Sequence, residues 1–237
     1  MKKLLSCFLL IFVFACQSDK DAKAIKEAQR LIDSEKYTEA IGYLTRAIEE
    51  SPKNADLYYE RGRAHDGIEG NDSRAIDDFM TCIKINDKHR EAYRMLHVTY
   101  SFRKEFDLAD KYLKKTIENT KGEKEKAMTF SNAGHSFLLF GLGGQRPNKK
   151  IIEYLIQAMT LDAKEYESAS KYAIIADCYL DMGEREKAKL FLQKALEIDD
   201  DVQLGIFSDA SRFRFYKFKT EVLEGIETDK PKLIYAM

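Results

Sequence analysis

Small or aliphatic residues recur down this chain at a nearly constant interval. Ala40, Ala75, Ala109, Ile151 and Ala188 follow one another at steps of 35, 34, 42 and 37 residues. A period in this range signals a stack of supersecondary units, none of which can bury its apolar stripe alone. Within a unit the apolar residues keep helical spacing on both sides of a short polar turn, so each unit reads as a helix pair. The step lengthens where glycines and charges accumulate, at "KGEKEK", at "GLGGQRPN" (Gly141 to Asn148) and at "DAKEYE".

The residues around that column resemble the tetratricopeptide repeat, a helix pair of about 34 residues. Tyr172, Ala176, Tyr179, Gly183, Ala188, Leu192 and Ala195 stand at family spacing in the most complete copy. The first copy keeps Ala40, Leu44, Ala47 and Pro52, and the second Tyr58, Gly62, Ala75, Phe79 and Cys82. The third keeps Tyr93, His97, Tyr100, Ala109, Leu113 and Thr116, and the fourth Phe130, Gly134, Phe137, Ile151, Leu155 and Ala158. The resemblance implies an all-α fold, a right-handed superhelical solenoid of about five helix pairs over residues 22–202, with units near 21–54, 55–89, 90–123, 124–165 and 166–202. Gly62, Gly134, Ala28 and Ala176 would allow the two helices of a pair to approach closely. Residues 203–237 would form a capping helix and tail, with Phe215, Phe218 and Val222 on one side. The alternation of Phe213 and Phe215 could instead mark a strand, but the charged tail and the lack of turn signals favour a helix.

Composition fits this reading: only 3 prolines and 12 glycines interrupt a chain that is 33% charged. Both signs are interspersed, as on long solvated helix faces. The formal charge of −1 becomes −3 once Lys2 and Lys3 are removed with residues 1–15. Nucleic-acid binding calls for a clustered basic face, so this balance excludes it as an expectation.

Removal of residues 1–15 is itself an inference. Lys2 and Lys3 precede an apolar run from Leu4 to Ala15, a signal peptide in form, and too short for a membrane span of ~20 residues. Val13, Phe14, Ala15 and Cys16 resemble a bacterial lipobox, with Phe14 where that family prefers a small residue. The resemblance implies lipidation of Cys16, a short tether over 16–21, and a place in the bacterial cell envelope, at the outer membrane. The other reading is an ordinary signal peptide cut after Ala15, which would leave a free thiol.

The candidate sites are mostly packing positions. His65 and His97 fall in packing and close-approach columns, and His89 falls in a charged turn expected to be exposed. Neither His65 nor His97 has a histidine or cysteine partner at the three- or four-residue spacing of a metal site, "GLGG" lacks the lysine of a phosphate loop, and no carboxylate pair or nucleophile constellation stands out. Catalytic residues, metal ligands and cofactors are therefore expected to be none, with a flexible loop at Gly141 to Asn148. The tetratricopeptide resemblance implies a concave groove lined by Tyr59, Arg63, Arg94, Val98, Phe102, Ser131, His135, Leu138 and Leu139, with Asp177 and Asp181 as an acidic end. Some members of the family clamp a peptide carboxylate with lysine and asparagine, but Ile25 and Gln29 occupy those places here.

The function implied is a membrane-anchored scaffold holding a protein or peptide partner in the groove, in assembly of outer-membrane or pilus machinery or in recruitment of cell-wall enzymes. A hydrolase built on His135 is the reading of another class. Cys82 and Cys178 are expected to stay reduced and buried, because the stacking order puts some ~40 Å between them and a disulfide needs ~7 Å.

Overall fold

The computed structural model describes residues 2–141, 146–203 and 209–234, with side chains over 18–141, 146–203 and 212–225. Every regular element among the described residues is a helix: α1 (Lys2–Asp33), α2 (Tyr37–Glu50), α3 (Ala55–Asp66), α4 (Asp72–Ile85), α5 (Arg90–Phe102), α6 (Phe106–Glu118), α7 (Glu123–Phe140), α8 (Asn148–Leu161), the short α9 (Ala163–Tyr166), α10 (Ala169–Asp181), α11 (Arg185–Ile198) and α12 (Asp209–Ile234). The fold class is all-α, built of stacked helix pairs. The expected signal peptide, the Cys16 side chain and the middle of the Gly141 to Asn148 insertion lie outside the described side chains. Among the described residues no helix is long and apolar enough to cross a membrane.

The chain forms two compact units, residues 1–99 with 109–119, and residues 100–108 with 120–237. In the first unit α1 packs on α2 and α3, and α3 on α4. Ala24, Ala28, Leu44, Ile48 and Leu57 form one buried cluster there, and Ala55, Cys82 and Ala92 another. The close approach of α3 to α4 requires Gly62, since a Cβ at that position would lie 2.6 Å from a ring carbon of Phe79. Arg61 ties the same two helices with a two-pronged contact to the buried Asp78, at 2.9 and 2.7 Å. In the third pair His97 replaces the small residue. It is 3% exposed, and its Nδ1 lies 3.1 Å from the Ala109 carbonyl. A carbonyl only accepts, so this nitrogen carries the proton.

The second unit repeats the scheme. Gly134 admits Leu155, whose Cδ2 would stand 2.9 Å from an added Cβ, and Phe137 and Tyr154 fill the space beside them. α12 covers α10 and α11 with Phe215, Phe218 and Val222, all buried.

The turns inside the pairs share one hydrogen-bond pattern. The amides of Lys36, Glu105 and Glu184 donate five residues back to the carbonyls of Leu31, Tyr100 and Tyr179, each at 2.9 Å. This is the Schellman ending, which requires a left-handed residue just before the donor. Gly183 meets the requirement at φ 78°, but Glu35 and Lys104 adopt 59° and 62° with side chains attached.

Candidate functional site

The first helices of the pairs carry the sequence-derived groove residues. In the first unit the Tyr59 ring lies 4.8 Å from that of His89 and 6.0 Å from that of Phe79, centroid to centroid. Burial pushes its hydroxyl above the usual phenol range, and Arg63 and Arg94 offset this in part. Neither arginine is isolated. Arg63 donates to Glu60 at 2.8 Å and Arg94 to Glu91 at 2.7 Å, both three residues back on the same helix. Glu60, 3% exposed, also accepts from Gln29 of α1 at 2.7 Å. The face is therefore a ladder of guanidinium–carboxylate pairs, with Val98 half-buried beside it. Both arginines are thus already engaged by Glu60 and Glu91.

His89, expected in an exposed turn, instead has a side chain only 12% exposed. Its Nδ1 accepts from the Ala92 amide at 3.1 Å, capping α5, and its Nε2 lies 3.2 Å from Asp56. That contact, outweighing burial, holds the Asp56 carboxyl below the usual carboxylate range.

The second unit leaves apolar groups open. Phe102 is 59% exposed and Leu139 48%, and the Phe102 ring meets Phe140 edge-on at 5.7 Å. Leu138 points the other way, at 2% exposure, and belongs to the core rather than to a binding surface. His135 is half-buried, with Nδ1 2.7 Å from the carbonyl of Ser131, itself buried. Its Nε2 is left as the acceptor, with no carboxylate bonded behind it to drive a proton transfer.

Asp177 and Asp181 differ most from expectation. Asp177 has no exposure at all; its two oxygens accept from Arg146 at 2.7 Å and from Arg214 of α12 at 3.0 Å. Asp181 accepts from Arg214 and from Asn148, both at 2.7 Å. Burial opposes its ionisation, but the Asn148 amide and the two guanidinium groups outweigh burial and hold Asp181 below the usual range. What the sequence suggested as a free acidic end is a closed ring of alternating charge. The ring also pins the last residues of the insertion, Arg146 to Asn148, which had been expected to be flexible.

Residues 169–202, covering α10 and α11, match the tetratricopeptide repeat family. No curated protein matches the chain. Among solved structures, MamA residues 41 to the end from Desulfovibrio magneticus RS-1 superpose with a TM-score of 0.58 at 19% identity, covering 77% of this chain and 96% of that one. A second MamA structure gives 0.59 at 18% identity, over 78% and 97%. YrrB, described as a TPR protein with an unusual peptide-binding site, gives 0.57 at 20% identity, over 75% and 86%.

The chain has a tetratricopeptide-repeat fold.

In tetratricopeptide terms, Phe102 and Leu139 close the first helices of the third and fourth repeats, and Asp177 and Asp181 lie on the first helix of the fifth. The functional reading missed Glu60, Arg146, Asn148 and Arg214, and placed Gln29 in the groove without its bond to Glu60. A signal for some of them was present: Asp21 and Asn54, Asp56 and His89, Asn148 and Asp181, and Asp181 and Arg214 are each bonded across 33 residues. Polar residues one repeat apart thus tie neighbouring units. Among the described residues no group of His, Cys, Asp and Glu could hold a metal ion. Cys82 and Cys178 are free thiols, and burial pushes both up to about 12, where they are inert as nucleophiles.

Proposed function

We propose that this chain is a lipid-anchored tetratricopeptide scaffold of the bacterial envelope. It would hold an extended peptide or a partner helix against its inner helices. The observation that carries the reading is the exposure of Phe102 and Leu139, at 59% and 48%, at the ends of inner helices whose other exposed groups are largely charged or polar. Large apolar groups left in water on a helix face are what a peptide's side chains bury. The unusual peptide-binding site of YrrB agrees with this use of the fold. On the first unit, Tyr59, Arg63 and Arg94 would offer a polar surface of their own, the arginines already paired with Glu60 and Glu91.

The anchor rests on Lys2, Lys3, the apolar run to Ala15, and Cys16. Two acyl signals are needed for stable attachment, so Cys16→Ala should move the protein from the membrane to the soluble fraction. Assembly of outer-membrane or pilus machinery is the role this reading favours for a scaffold held at that surface.

The groove is tested by site-specific crosslinking in living cells from position 102. Discrete crosslinked partners are expected, and their loss in Leu139→Asp. Unchanged partners in that variant would remove this surface as the site.

A further inference from the structure

Two neighbouring repeats start their first helices with the same device and different chemistry. Asn54 and His89 stand 35 residues apart, each immediately before a first helix, α3 and α5. The Asn54 side chain accepts from the Asp56 amide at 3.0 Å. His89 does the same with its ring, Nδ1 accepting from the Ala92 amide at 3.1 Å, while its carbonyl accepts from the Tyr93 amide at 3.3 Å. Both residues are N-caps, which satisfy amides that a helix start leaves without a partner. An asparagine cap carries no titratable group, but an imidazole does.

The two hydrogen bonds of the His89 ring fix its protonation. A nitrogen that accepts from an amide holds no hydrogen, so Nδ1 is bare and the proton of the neutral ring sits on Nε2, 3.2 Å from Asp56 of α3. One ring thus ties the start of α5 to the start of α3. A second proton, taken from water, has only Nδ1 to bond, and there it abolishes the acceptor that the Ala92 amide uses.

The surroundings divide over that proton. Asp56, an anion in contact with the ring, favours it. The amides that open α5 carry partial positive charge and oppose it, as does Arg90, the next residue along the chain. Glu91 is engaged by Arg90 and by Arg94, both at 2.7 Å. The Tyr59 ring of α3 lies 4.8 Å away, centroid to centroid, with Arg63 and Arg94 acting on its hydroxyl. Cys82 of α4, packed with Ala55 and Ala92, stays a neutral thiol. Asp87 and Lys88 are exposed in the preceding turn and cancel in formal charge.

We propose that His89 is a proton-operated clasp between the second and third repeats. Neutral, it holds Asp56 and caps α5. Protonated, it keeps Asp56 and releases Ala92, so the first turn of α5 opens while α3 stays capped by Asn54. Glu91 lies in that turn and holds Arg94, so acid loosens the polar part of the inner face as well. The clasp is independent of the groove and of the lipid anchor.

The test is hydrogen exchange in the full-length chain from about pH 8 to about pH 5, across the range where imidazoles titrate. Rates are corrected for the intrinsic effect of pH, and the Ala92 and Asp56 amides are resolved by fragment mass spectrometry. Protection of Ala92 relative to Asp56 should fall by about threefold or more as pH drops, the scale of a lost cap. His89→Asn gives α5 the cap that α3 already has and should hold the ratio constant. His97→Gln should leave the fall unchanged. Asp56→Asn removes the anion, and the fall in Ala92 protection should move to lower pH. A constant ratio in the wild type, a fall that persists in His89→Asn, or a fall lost in His97→Gln would each overturn the proposal. So would an Asp56→Asn variant in which the fall stays at the wild-type pH.

Discussion

Arg146 Nη1 lies 2.7 Å from Oδ2 of Asp177, a carboxylate with no exposure to solvent. Removing one partner strands the other charge away from water, whereas replacing both by apolar groups removes the desolvation cost as well. Asp177→Ala should therefore cost about 3–5 kcal/mol in denaturant unfolding. Arg146→Met combined with Asp177→Leu should recover most of that loss, which would identify the ring as costly to break rather than intrinsically stabilising.

The turns inside the pairs predict a ranking. Gly183 sits at φ 78°, where a Cβ costs about 1–2 kcal/mol, so Gly183→Ala should destabilise by that order. Lys104→Gly should be neutral or stabilising by up to about 1 kcal/mol, the relief at φ 62° being partly offset by the greater freedom of glycine in the unfolded chain. Thermal melts of the two variants against wild type check the order.

His97 makes stability depend on pH. Burial pushes its imidazole down to about 4, only partly offset by the Ala109 carbonyl and Asp110, while Arg94 adds to the depression. An unfolded histidine titrates near ~6.5. Between these values the unfolded chain holds a proton that the folded protein refuses, so stability falls as pH drops from about 6.5 toward about 4, by up to roughly 3 kcal/mol. His65, lowered chiefly by burial, acts in the same direction. The slope of unfolding free energy against pH should decrease by up to one proton in His97→Gln.

Binding and stability should separate at the inner helices. Phe102→Ala should leave stability within about 0.5 kcal/mol but weaken partner capture by at least tenfold if the ring is a hot spot. Tyr59→Ala should impair both, because its ring packs on Phe79 and His89. Added salt should weaken capture in the wild type more than in Arg63→Ala with Arg94→Ala.

Thiol chemistry reports on packing. Cys82 and Cys178 should react with a soluble maleimide only on unfolding, as expected for buried thiols pushed up to about 12. Non-reducing mass spectrometry of the folded protein should find both reduced.

The helix pairs were legible because they rest on short-range spacing: Gly62 opposite Phe79 and Gly134 opposite Leu155 are fixed by which residues can approach closely. The groove was legible only in outline. Repeat arithmetic puts Leu138 and Leu139 side by side, but a 100° turn between neighbours sends one to the core and leaves the other in water. It also placed Asp177 on the binding face, without the two arginines that close over it. One comes from an insertion that breaks the period and the other from a helix beyond the last full repeat, so no column of the repeat pointed to either.

The distance in sequence from Asp177 to Arg214, 37 residues, also bears on how the molecule is made. A polypeptide that emerges N-terminus first presents Arg146 and Asp177 well before Arg214. Until Arg214 arrives, one oxygen of Asp177 lacks its guanidinium partner and the last repeat cannot close over a neutralised ring. A product ending before Arg214 would keep an opened, charged seam in place of a finished core, and so would differ from a chain that contains it in a way that proteases acting on loose ends can read.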